Sequence, residues 1–152
     1  MKIDLSTVPV ETGTNYPAPF QAVVSGRSRQ RVGNAAGLQN FGVNLTTLAP
    51  GSQSALRHWH SAQDEFVYVV QGELWLVTDD GEQILTAGEM AGFAAGVTNG
   101  HHLVNRSDQL AIYLEVGDRT APDRVDYSDQ DLRYVPIDTT VRVFTRKNGH
   151  PY

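Results

Sequence analysis

The sequence predicts an all-β domain, a small sandwich or barrel, and three observations lead there. Short runs rich in β-branched and aromatic residues recur along the chain, turn residues separate them, and no window sustains a helical period. At 152 residues the chain matches one domain, large enough to bury a substantial core. Hydrophobic residues make up 40% and charged residues 19%, as in ordinary globular proteins.

In chain order, residues 1–40 read as loose, interrupted by Pro9, Pro17, Pro19, Gly26, Gly33 and Gly37. Within them Arg27-Ser-Arg-Gln-Arg31 reads as a solvated loop or arm. A strand is predicted over Phe41–Leu48, closed by the turn signal Pro50-Gly51. The next strand carries His58 and His60, and Glu65–Val70 forms an apolar strand ended by Gln71-Gly72. Leu74–Thr78 turns back at Asp79-Asp80-Gly81, an Asp-Gly hairpin signal, into Gln83–Thr86. An irregular loop containing Gly96, Asn99 and Gly100 leads to His101, and Leu110–Val116 alternates like a strand with one buried face. Short strands at Leu132–Val135 and Val141–Phe144 follow an acidic stretch, Asp123–Asp131, that reads as a solvated loop.

Composition narrows the function classes. The absence of cysteine excludes disulfides and thiolate ligands, leaving nitrogen and oxygen as metal donors. With a net charge of −5 and dispersed basic residues, a nucleic-acid-binding face is not expected. No apolar run approaches the roughly 20 residues a membrane helix needs. The N-terminal Met-Lys-Ile-Asp-Leu-Ser lacks the apolar core of a secretion signal, so a cytoplasmic protein is expected.

Four of the five histidines fall in two clusters, His58-Trp59-His60 followed by Glu65, and His101-His102. On an extended strand, alternation puts His58 and His60 on one face. Glu65, from the next strand, adds a carboxylate. Imidazole and carboxylate are ordinary ligands for a divalent transition metal. The competing reading is a hydrogen-bonded polar cluster without metal, but converging buried imidazoles beside a carboxylate are satisfied more readily by a cation.

Two stretches carry a family resemblance. Gly51-x6-His58-x-His60-x4-Glu65-x6-Gly72 resembles the first cupin motif, with one extra residue before the first histidine. Gly88-x5-Ala94-x-Gly96-x4-His101-x3-Asn105 resembles the second, with Ala94 in place of the usual proline and two extra residues before the histidine. The flanking stretches Asp64–Glu73, Asn99–Ser107, Val116–Thr120 and Phe144–Tyr152 are similar to a widespread group of single-domain cupins. The resemblance implies a cupin-type double-stranded β-helix, or jelly-roll barrel. It divides the chain into an irregular N-terminal arm, residues 1–40, packed on the barrel, and one cupin domain, residues 41–152, with a C-terminal extension. It also implies one divalent transition metal per chain (Fe, Mn, Ni or Zn), a small-molecule ligand in the barrel and a homodimer.

The family's His-x3-Asn spacing makes His101 the fourth metal ligand beside His58, His60 and Glu65, and leaves His102 as the alternative because the inserted loop unsettles the parity. Six-coordination would leave two positions open for substrate or water, whereas tetrahedral zinc would be saturated by the same four groups. Arg57 should point away from the metal, Trp59 and Trp75 should pack on outer faces, Asn105 should brace a turn, and Tyr68, Tyr113 and Glu115 are candidates to line the cavity, with core or rim placement favoured. No side chain is assigned a catalytic step. Three functional classes stay open: a metal-dependent enzyme with dioxygenase or isomerase chemistry, a non-catalytic small-molecule-binding or sensing module, and a protein whose metal is structural. The enzyme is favoured, and a scarcity of recognisable interior cations argues against a phosphorylated substrate.

Overall fold

Alternating apolar residues between glycine turns build thirteen strands in the structure, a computed structural model that describes residues 2–137 and 141–152. They are β1 (Val10–Thr12), β2 (Arg27–Gln30), β3 (Phe41–Leu48), β4 (His58–His60), β5 (Glu65–Gln71), β6 (Glu73–Thr78) and β7 (Gly81–Thr86). The chain continues through β8 (Met90–Phe93), β9 (His102–Val104), β10 (Ala111–Asp118), β11 (Val125–Tyr127), β12 (Arg133–Pro136) and β13 (Arg142–Thr145). Helical geometry among the described residues is limited to one short α-helix, Val32–Ala35, and 3-10 segments at Leu5–Thr7 and Ala18–Val24. None is long and apolar enough to cross a membrane.

One layer is a six-stranded sheet in the order β1-β2-β3-β10-β5-β8. The other combines a four-stranded sheet, β13-β12-β11-β4, with a three-stranded one, β7-β6-β9. A backbone bridge from His58 of β4 to His101, just before β9, joins these two, and Gln53 bridges to Val104 of β9. Every ladder is antiparallel. The arrangement is the jelly roll, in which two sheets share one interior.

Two apolar clusters fill that interior. Leu48, Val67, Val69, Leu74, Leu76, Leu103 and Tyr113 form one, each at an alternate position of its strand. Tyr16, Val24, Leu56, Val125, Tyr127 and Leu132 form the second. Tyr16 and Val24 lie in the stretch read as loose, and β1 and β2 extend the six-stranded sheet. The Arg27–Arg31 run is therefore not a solvated loop. Arg27 is 6% exposed and opens β2 opposite Leu48. The acidic stretch departs from expectation in the same way. Asp123 is fully buried, and all three residues of β11 are buried, so only part of Asp123–Asp131 faces solvent.

Candidate metal centre

Strand alternation and one backbone bridge assemble the centre. His58 and His60 sit at the two ends of β4 and face the interior together. Glu65 opens β5 in the facing sheet. His101 is held opposite His58 by reciprocal backbone hydrogen bonds of 3.2 and 2.8 Å. One carboxylate oxygen, Glu65 Oε2, lies 2.9 Å from His101 Nε2, 3.5 Å from His60 Nε2 and 3.7 Å from His58 Nε2. The ligand atoms of His58, His60 and Glu65 all lie within 4.8 Å of one another, a group that could hold a metal ion.

The remaining ring nitrogens show which way these imidazoles point. His58 Nδ1 donates to the Leu56 carbonyl at 2.8 Å, and His60 Nδ1 donates to the Asp123 carboxylate at 2.7 Å. With its proton on Nδ1, a neutral imidazole presents a bare lone pair at Nε2. Two such lone pairs and a carboxylate oxygen then converge, an arrangement that only a cation or a proton relieves. A carboxylate behind a ligating histidine is also the usual way to fix its tautomer and raise its basicity. The donor set therefore fits a divalent transition metal.

The electrostatics agree. Burial drives the His58 imidazole down to about 4, keeping it neutral near pH 7. Burial also opposes the charge on Glu65, but the His101 hydrogen bond and the surrounding imidazoles prevail and hold its carboxyl at about 2. Desolvation of His60 is likewise outweighed by Asp123 and Glu65, which raise it. His101 stacks on Phe93 with ring centroids 3.5 Å apart and planes 1° apart, and its Nδ1 is buried without a hydrogen-bond partner. His102 takes another position: its Nδ1 meets the Ala55 carbonyl at 3.0 Å, away from the Glu65 oxygen that the other three share.

Support for the site extends outward. The Leu56 N–H donates to the Tyr16 hydroxyl at 3.3 Å, so the N-terminal stretch steadies the carbonyl that orients His58. Fully buried Asn105 donates to the Leu48 and Gln109 carbonyls and accepts from Ser107, bracing the turn after β9. Arg57 turns outward to Asp79 and Asp129. Trp59 and Trp75 lie under Arg124 and Arg106, at 5.6 and 4.6 Å from guanidinium to ring.

The centre opens onto a cavity of about 230 Å³. Tyr113 and Glu115 both line it, Tyr113 as a buried member of the first apolar cluster and Glu115 as a part-buried residue. Arg27, Arg29 and Arg142 line it too, which overturns the expected scarcity of interior cations. Arg27 and Arg29 were not legible as cavity residues because alternation in β2 carries no apolar signal when the inward residues are themselves charged. Asp123 was missed for another reason: it reaches His60 from 63 positions away in sequence.

A metal-ligand cluster inside a jelly roll defines a class of barrel proteins, and the comparisons identify which. The cupin-domain family model matches residues 44–117. A protein from Silicibacter pomeroyi described as a sugar phosphate isomerase from a cupin superfamily is 46% identical, covers 100% of this chain and 96% of its own, and superposes with a TM-score of 0.96. The chain belongs to the cupin superfamily. A protein from Acidithiobacillus ferrooxidans, provisionally described as a sugar phosphate isomerase, is 25% identical over 83% of this chain and 80% of its own, with a TM-score of 0.75. A polyketide cyclase from Streptomyces resistomycificus shares the fold at 18% identity, covering 86% of this chain and 88% of its own, with a TM-score of 0.67. No curated protein matches.

Proposed function

We propose that this chain is a metal-dependent cupin enzyme that isomerises a small hydroxylated substrate. One divalent transition metal per chain (Fe, Mn, Ni or Zn) would be held by His58, His60, Glu65 and His101. The observation that carries this reading is the convergence of three imidazole Nε2 atoms on one Glu65 oxygen beside a cavity. The metal would supply Lewis acidity to a substrate carbonyl or hydroxyl oxygen. Isomerisation also needs a group that takes and returns a proton. Among the described residues, the carboxylates lining the cavity are Glu65 and Glu115. Glu115, which accepts from Asn44 at 2.8 Å and from the Tyr113 hydroxyl at 3.3 Å, is the residue we assign to that task. The relatives from Silicibacter pomeroyi and Acidithiobacillus ferrooxidans, 46% and 25% identical, are both described in isomerase terms, which favours this chemistry over dioxygenation. Exposed Phe66, Val70 and Met90 on β5 and β8 support pairing of two copies, and a cytoplasmic homodimer completes the reading.

Elemental analysis of untagged protein, with His101→Ala and His102→Ala alongside, tests the ligand set. The expected result is about one metal per chain, lost with His101 and kept with His102. No metal after reconstitution would overturn the enzyme reading and leave a binding module. Anaerobic interconversion of aldose and ketose substrates by the manganese- or zinc-loaded protein is expected. Oxygen uptake by the iron-loaded protein would instead assign dioxygenase chemistry.

A further inference from the structure

The three cavity arginines are not used by the metal group. Arg27 and Arg29 alternate on β2, paired with buried Leu48 and Thr46, so both project into the barrel. Arg142 comes from β13, two residues before Phe144, which packs against the second apolar cluster. Arg27 is 6% exposed, and its guanidinium donates to the carbonyls of Ser54 and Gly13, at 3.2 Å for the latter. Neither partner carries charge. Among the described residues neither Arg27 nor Arg142 forms an ion pair, and Arg142 lies only over the Tyr134 ring at 5.9 Å. Arg29 meets Glu115 at 3.4 Å, but that carboxylate is shared with Asn44 and Tyr113.

A buried guanidinium stays protonated, and a buried charge without a counter-ion is costly. Among the described residues that line the cavity, three guanidinium groups face the carboxylate of Glu115 alone once Glu65 is assigned to the metal. The imbalance sits inside a protein whose net charge is −5, so the cavity opposes the sign of the whole chain. The guanidinium fork matches a planar or tetrahedral oxyanion better than any neutral group.

We infer that Arg27, Arg29 and Arg142 form a clamp for a terminal oxyanion, phosphate or carboxylate, on a small hydroxylated substrate whose other oxygens face the metal group. This rests on the proposed enzyme reading for the location of the substrate, but the clamp itself draws on different residues. It makes charge the specificity filter of the cavity: a neutral sugar of the same shape would leave the arginines unpaired.

The test is calorimetric titration of the manganese-reconstituted protein with glycerol 3-phosphate, glycerate, inorganic phosphate and glycerol. The phosphate ester or the carboxylate should bind at least about ten-fold more tightly than glycerol. The tighter of the two names the terminal group. Because a bound cation attracts any oxyanion, the arginine variants decide. Arg142→Met should weaken the preferred anion at least about ten-fold while manganese content stays constant. Arg27→Met should do the same, and Arg27→Lys serves as the second variant should loss of the Ser54 and Gly13 tethers unfold the first. Unchanged anion affinity in Arg142→Met and Arg27→Lys would overturn the clamp. Manganese measured in the same samples separates the two readings: a metal-loaded protein with no arginine dependence loses the clamp but keeps the metal centre.

Discussion

Two of the three imidazoles of the centre have their Nδ1 taken by a neighbour. The Leu56 carbonyl and the Asp123 carboxylate take Nδ1 of His58 and His60, which leaves both Nε2 atoms to converge on Glu65. Asp123→Asn preserves volume but removes the charge behind His60. It should lower metal affinity about 10- to 100-fold, measured by competition with a chelator. A purely architectural role for Asp123 would leave that affinity unchanged. Glu65 gives a pH dependence. Its folded carboxyl sits at about 2, below its ordinary 4.5, so its contribution to stability is complete above 4.5 and disappears as pH falls toward 2. Urea melts of the metal-free protein should therefore lose stability across that window, and Glu65→Gln should flatten the decline by an amount on the order of 2 kcal/mol. Parallel curves for both proteins would count against the coupling of Glu65 to the imidazoles. His58, His60 and Glu65 were legible in the sequence because alternation and short spacing carry them, and His101 came from the resemblance to the second cupin motif. Asp123 was not legible, because a partner 63 positions away leaves no local pattern.

At the scale of elements, turns set the register. Gly72 joins β5 to β6 at φ +81°, and a Cβ there would meet the Leu110 carbonyl oxygen at 2.9 Å and Ala111 Cα at 3.1 Å. Gly88 has a similar φ of +93° but open space around it. Both alanine variants bear the left-handed strain of about 1–3 kcal/mol. Gly72→Ala adds a clash with backbone, so its urea midpoint should fall clearly below that of Gly88→Ala; equal midpoints would mean that the turn absorbs the clash. The strands β3, β5, β6, β7 and β10 were readable because apolar residues alternate between turn signals. β4, β12 and β13 were also anticipated, as the strand carrying His58 and His60 and the short runs Leu132–Val135 and Val141–Phe144, whereas β2, β8 and β11 escaped for identifiable reasons. β2 reads Arg-Ser-Arg-Gln and turns charge inward. β8, Met-Ala-Gly-Phe, exposes its methionine at the sheet edge. β11, Val-Asp-Tyr, is only three residues long within an acidic stretch, and its Asp126 is buried along with its apolar neighbours.

For the whole molecule, the two layers of the jelly roll enclose the cavity beside the histidines, and the motifs at Gly51–Gly72 and Gly88–Asn105 were enough to foresee that architecture. They could not foresee how the N-terminal stretch participates. Tyr16 and Val24 complete an apolar cluster with β11, while Arg27 and Arg29 come to line the cavity. The positive wall of that cavity is thus a tertiary property, assembled from β2 and β13 at opposite ends of the chain. The bridge between His58 and His101 has a further consequence. Those two residues are also the stitch between the four-stranded and three-stranded sheets. A cation gripping their side chains would clamp the seam, and its removal would let the seam breathe. Amide hydrogen exchange at His58 and His101 should accelerate on chelation, while the amides of Val69 and Leu74, deep in the other cluster, keep their protection. Equal acceleration everywhere would mean that the metal holds the whole barrel, and the two histidine amides would then have no special standing as a local clock of occupancy.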